Sequence, residues 1–301
     1  MIPHGAAPQT VRELYDAYRV RRLRNAAANT MHKFDVAIRQ FERELGRQAT
    51  LADLNDDTVG AVLAAWGKSH RSKHTSNGYG AKLMALWRFA CRRGWLTEWP
   101  EGDWKLYAPK PVPRAWTQDD LGRLYAQLAK QTGFIGAVPA HAWWLALHSV
   151  LFDTGERVGA VLSLLWEDVD LAANSILIRG ENRKGDADDK LYFLHAETTA
   201  RLSAMREPKR EKVFPLPITM GALLWRYKRI LEGAGLDAGR KSKFHRMRKT
   251  VASHIAAAKG REQASEALDH KDPSVTAAYI DPSICPGVRP AEVLWRPGEP
   301  G

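Results

Sequence analysis

The sequence predicts a mainly α-helical chain with one small β-sheet, an all-α N-terminal domain followed by an α+β domain. Three observations carry that prediction. Apolar residues recur at helical spacing over most of the chain, only two short segments are rich in β-branched and aromatic residues, and a proline-rich stretch separates the first third from the rest. At roughly 150 residues per domain, a length of 301 residues suffices for two domains with separate cores.

The first helical period runs through Val11, Leu14 and Tyr18, a second through Phe34, Ile38, Phe41 and Leu45, and another through Leu83, Leu86, Phe89 and Ala90. Thr50 and Asp53 are spaced to start a short capped element between them. Arg71, Lys73, His74 and Lys82 stand at the start of the longest helix, where basic side chains and the free N–H groups of a helix N-terminus suit phosphate. This helical domain is placed at residues 1–107. Pro109, Pro111 and Pro113 forbid a continuous helix through 108–115, which is therefore expected to be an extended linker.

The second domain, 116–301, opens with Thr117 as N-cap and Asp120 three residues on. Helices are expected from there to about residue 165. The apolar run 141–152 falls well short of the about 20 residues a membrane span needs, so it reads as a core helix. Residues 175–180 (SILIRG) and 190–195 (KLYFLH) read as the two strands of a hairpin with a polar, basic tip. Helical patterns resume through 221–235, 244–260 and 262–268.

Composition narrows the function. Hydrophobic residues make up 45% and charged residues 26%, a globular balance rather than that of a disordered chain. The net charge of +11 and a pI near 9.7 make a polyanion the first partner to consider, with nucleic acid ahead of a membrane surface. Over half of that excess charge falls in residues 8–110. The N-terminus lacks the basic and apolar regions of a signal peptide. Cys91 and Cys285 lie far apart, which indicates neither a disulfide framework nor a cysteine zinc site and suits a reducing cytoplasm.

Five features between 154 and 279 form a chemical kit: Arg157 in TGERVGAVLSL, Lys184 at the hairpin tip, His245 and Arg248 in HRMRKT, His270 in LDHKD and Tyr279 in AAYI. Singly, each is an ordinary surface or core residue. Together, two guanidinium forks can clamp phosphate oxygens, two histidines can hold or move protons, a lysine can donate one, and the tyrosine hydroxyl is a nucleophile.

That order and spacing resemble the tyrosine recombinase, or phage integrase, family of site-specific DNA recombinases. The likeness rests on Thr154-Gly155-Glu156-Arg157, followed by LLWEDVD; on His245, Arg248 and Thr250; and on Tyr279 nine residues after His270. The N-terminal helices and proline linker resemble the family's core-binding domain, and TQDDLGRLY its first catalytic helix. The resemblance implies a C-shaped clamp around double-stranded DNA at an inverted-repeat core site, a monomer or weak oligomer when free, and a homotetramer on a Holliday junction. Tyrosine attack would leave a 3′-phosphotyrosyl link and a free 5′-hydroxyl, with no metal or nucleotide cofactor. Arg157 and Arg248 would clamp the phosphate, Lys184 would protonate the leaving oxygen, His245 would assist proton transfer at Tyr279, and His270 would hydrogen-bond the phosphate. Arg71, Lys73, His74 and Lys82 would contact DNA.

The expected role is integration or excision of a phage or other mobile element in a bacterial or archaeal cytoplasm, with accessory DNA-bending or directionality factors and no membrane. Alternatives are a dimer-resolving recombinase, a type IB topoisomerase and a catalytically silent DNA binder. Two departures from the family pattern stand out. Ala160 occupies a position where an acid usually braces the site, and Glu167 or Asp168 is the expected substitute. Asp269 stands where the family has a glycine, which is tolerable with a left-handed backbone there, a region aspartate visits more readily than most residues. Near the hairpin, Lys184 is preferred over Arg183 and Lys190 because it lies at the tip with Gly185 after it.

Overall fold

The computed structural model describes residues 7–69, 72–102, 104–183, 187–239, 243–270 and 272–287. The chain divides into two compact units, Met1–Lys110 and Pro111–Gly301.

In the first unit the described residues form helices α1 (Val11–Arg22), α2 (Ala28–Leu45), α3 (Asp56–Lys68) and α4 (Lys73–Arg92). Thr10 and Glu13 start α1 with a reciprocal capping box. Thr50 and Asp53 do the same for the single turn Leu51–Asp53. Arg47 grips the Asp53 carboxylate through bonds of 2.7 and 2.6 Å, which, against the cost of burial, draws Asp53 down to about 2. At 20 residues α4 is the spine of the unit. It packs against α1, α2 and α3, and its Leu83, Leu86 and Trp87 are wholly buried with Trp66 of α3.

The second unit runs α5 (Gln118–Ala129), β1 (Phe134–Ile135), β2 (Val138–Pro139), α6 (Ala140–Thr154), α7 (Val158–Leu162), β3 (Val169–Asp170), β4 (Ser175–Ile178), β5 (Lys190–Phe193), α8 (Ala196–Ala204), α9 (Met220–Gly233), α10 (Phe244–Lys259), α11 (Arg261–Ala267) and α12 (Pro273–Ala277). Thr117 and Asp120 cap α5 as expected. Just before it, Trp116 is buried and its N–H donates to Thr250 Oγ1 at 2.9 Å, while Ala115 N–H donates to Asp281 at 2.8 Å. The central helix is α6, apolar nearly all round and packed against α5, α8 and α10. Among the described residues no helix is long and apolar enough to cross a membrane.

Two strand features depart from the expectation. The β1–β2 hairpin interrupts the stretch expected to be helical up to about 165, made possible by Gly133 and Gly136 at φ +78° and +61°. A third strand, β3, joins the expected pair, giving an antiparallel sheet in which Ile176 of the central β4 lies opposite Val169 and Tyr192. Two-residue strands are too short for an alternating pattern to register in sequence.

Candidate active site

The site begins where α6 ends. Gly155 takes a left-handed conformation (φ +63°) as its C-cap, and a Cβ there would meet Leu268 Cδ2 at 2.9 Å, so both backbone and packing favour glycine. This turn drives Glu156 inward. Its carboxylate is almost fully buried, where it accepts from Tyr192 OH (2.8 Å), Arg157 N–H (3.0 Å) and Arg183 Nε (2.8 Å). Burial pushes Glu156 up, yet these donors together hold it below the usual carboxylate range. Arg157 follows as the N-cap of α7 and is half-buried.

From α10 come His245 and Arg248, three residues apart and so on one face of the helix. Arg248 is 2% exposed. It donates to Gly155 O (2.8 Å) and Leu268 O (2.7 Å), lies 3.8 Å from Glu156, and places its guanidinium carbon 5.7 Å from the Tyr279 ring centre. Burial, and then the charge of Arg157, pushes its pKa down. Its Nε is buried with no hydrogen-bond partner.

His270 follows Asp269, whose φ of +54° is left-handed, the conformation in which aspartate is tolerable at that position. His270 Nε2 lies 3.1 Å from an Arg248 nitrogen, and Nδ1 lies 2.8 Å from Thr276 Oγ1. A guanidinium can only donate, so Nε2 accepts and the proton sits on Nδ1. Burial, then the charges of Arg248 and Arg157, draws His270 down to about 4, and the ring is neutral at pH 7. Tyr279 lies just after α12, its N–H bonded to Thr276 O at 2.8 Å. Its half-buried ring is 5.1 Å from that of the exposed His245 and 4.9 Å from that of His270.

The structure thus gathers Arg157, His245, Arg248, His270 and Tyr279. Lys184 lies outside the described residues, as does Arg71. The other lysine near the hairpin, Lys190, donates to Glu266 O and Ala267 O at 3.0 and 3.1 Å, and burial pushes its pKa down. In the first unit Lys73 and His74 are exposed in the first turn of α4, and Lys82 sits 5.6 Å over the Phe34 ring.

One expectation is corrected. Glu167 and Asp168 do not substitute for an acid at Ala160. Both pair with Arg179, with Asp168 at 2.8 Å, because the turn they occupy faces the end of β4. The acid at the arginines is Glu156, which the sequence reading passed over. Its signal was a lone carboxylate inside the TGxR turn, ahead of a run of apolar residues.

Known proteins resemble this chain in sequence and in fold. The phage integrase family model matches residues 114–284. Tyrosine recombinase XerC of Lactobacillus leichmannii is 26% identical over 261 residues, covering 82% of this chain and 85% of its own. A structure of the Tn1549 transposon integrase in complex with a circular intermediate DNA superposes with a TM-score of 0.72 at 14% identity, covering 90% of this chain and 95% of that one. A lambda integrase tetramer bound to a Holliday junction gives 0.71 at 18% identity, covering 91% and 78%. These two likenesses show the fold. The family match takes in more than half of the sequence, and on that ground the chain belongs to the phage integrase family of tyrosine recombinases.

Proposed function

We propose that the protein is a site-specific recombinase that cuts and rejoins double-stranded DNA through a 3′-phosphotyrosyl intermediate, serving the integration or excision of a phage or other mobile element. The observation that carries this reading is the convergence of the Tyr279 ring with the buried Arg248 and two histidine rings. Tyr279 Oη attacks the phosphorus, the bond from phosphorus to the 5′-oxygen breaks, the phenol proton passes to His245, and Lys184 supplies a proton to the leaving oxygen. A 5′-hydroxyl from another strand then attacks the phosphotyrosine and reverses the steps. Retention of the phosphodiester as a phosphotyrosyl ester means that no energy source is consumed.

Attack builds negative charge on the phosphoryl oxygens, and Arg157 and Arg248 offset it with donors fixed in advance. His270 hydrogen-bonds a phosphate oxygen only with a proton on Nε2. Burial, then the charges of two arginines, holds the ring at about 4; the phosphate's charge opposes those arginines and so favours that proton. Lys73, His74 and Lys82, with Arg71, contact the DNA backbone. Four copies act on a Holliday junction in a bacterial or archaeal cytoplasm, and likeness to the lambda integrase seen as a tetramer on such a junction supports that assembly.

The test uses purified protein and nicked, labelled DNA from the flanks of its gene, in chelator and without ATP, resolved on a denaturing gel. The expected result is a covalent adduct mapping to Tyr279 and absent from Tyr279→Phe, which still binds. Specific binding with no adduct on any trapped substrate would favour a silent DNA binder instead.

A further inference from the structure

Arg183, beside the hairpin tip in sequence, spends its guanidinium on three separate pieces of chain. Its Nε pairs with Glu156 at 2.8 Å, one terminal nitrogen bonds Asp188 O at 2.8 Å, and the other pairs with Asp269 at 2.9 Å. The side chains of Arg183 and Glu156 are 5% and 1% exposed, so their pair is interior, while that of Asp269 is 49% exposed at its edge. A second cation from the same hairpin, Lys190, holds the carbonyls of Glu266 and Ala267. The 266–269 turn is therefore gripped twice from the hairpin side. From the α10 side Arg248 binds Leu268 O and His270 Nε2 in the same turn.

Asp269 sharpens the meaning of this cluster. At φ +54° a glycine would sit without strain, whereas an aspartate is disfavoured. What the aspartate adds is a carboxylate that reaches Arg183.

We propose that Glu156, Arg183 and Asp269 form an ionic latch, supported by Lys190, that fixes the His270 turn against Arg248, with Arg183 and Asp269 acting as positioning residues for phosphoryl transfer. The inference of a rate effect rests on the recombinase reading above; the latch itself does not. Arg183 and Asp269 act through His270 and Arg248, whose placement around the phosphate sets the rate.

The discriminating variant is Asp269→Gly, which relieves the backbone and removes the carboxylate. With single-turnover cleavage of the trapped DNA, Asp269→Gly is expected to react about 10-fold more slowly, and Arg183→Gln about 100-fold, the scale of a misplacement near 1 Å. DNA affinity, the fraction of protein forming adduct and the melting temperature of Asp269→Gly should hold, because a folding defect lowers amplitude rather than rate. Asp269→Glu should recover most of the rate. In the Arg183→Gln background Asp269→Gly should add little, as expected for one coupled unit. Cleavage by Asp269→Gly at the wild-type rate would overturn the proposed positioning role.

Amide hydrogen exchange across 266–270 tests the latch without catalysis. Exchange there should rise in Arg183→Gln. Unchanged exchange in Arg183→Gln overturns the latch whether or not the protein cleaves DNA. Raised exchange in a protein whose wild type forms no adduct leaves the latch standing and faults the recombinase reading instead.

Discussion

The two units use positive charge in opposite ways. In the first, Arg21, Arg22, Lys73, Arg88 and Arg92 all lie exposed on helix surfaces, and Arg93 is exposed just past the end of α4. In the second, Arg248 and Arg183 are 2% and 9% exposed, and each is tied to carbonyls or carboxylates on several segments. Exposed charges are screened within about 10 Å in ordinary salt and act nearly independently. Buried charges are held by geometry, alter the pKa of their neighbours, and act as a unit. The first arrangement suits attraction and holding of a polyanion, the second the stabilisation of one phosphate at one point.

The sharpest way to break this contrast is Arg248→Lys, which keeps a charge and loses the fork. Single-turnover cleavage is expected to fall by about 10³-fold, the cost of an oxyanion donor in a preorganised site, with a far smaller change in DNA affinity. A loss below tenfold would make Arg248 a plain charge, like those of the first unit.

Acid should separate the two units next. His148 in α6 is wholly buried and, chiefly through burial, drawn down to about 4. The unfolded chain therefore takes up that proton first, so stability present above about pH 6.5 is lost as pH falls towards 4, by up to about 3 kcal/mol. The first unit's Asp53, held at about 2 by Arg47, keeps its contribution until pH falls below about 4. Denaturant titrations of wild type and His148→Phe between pH 7 and 4 measure the difference. Parallel curves for the two proteins would refute the assignment.

A smaller effect concerns His270. If the phosphate draws a proton onto Nε2, DNA affinity should rise several-fold from pH 7 to 5, and less so in His270→Gln. Identical pH dependence would mean that His270 stays neutral on DNA. Smallest of all, Lys73→Ala should weaken binding only a few-fold, lowering the salt slope by about 1 while leaving the cleavage rate of bound DNA unchanged. A selective loss of cleavage would contradict the division of labour between the units.

The helices of the first unit were legible because their apolar period is long and their caps are spelled out, as at Thr50 and Asp53. The order of site residues was legible in the same local way, since Arg157, His245 with Arg248, and His270 with Tyr279 each sit in a short motif. What escaped depends on contacts distant in sequence. Glu156 meets Tyr192 across 36 residues and Arg183 across 27, and no local pattern marks such partners. Glu167 and Asp168 were nearer the expected pattern, but their turn points at Arg179. The β1–β2 hairpin escaped for want of length.

Thr276 ties two site residues together in α12. Its carbonyl accepts the backbone N–H of Tyr279, and its hydroxyl accepts the Nδ1 proton of His270. Nucleophile and histidine therefore share one hinge pin. Any displacement of Thr276 therefore carries the Tyr279 backbone and the His270 ring with it, so the two residues keep their relation to each other rather than shifting one at a time.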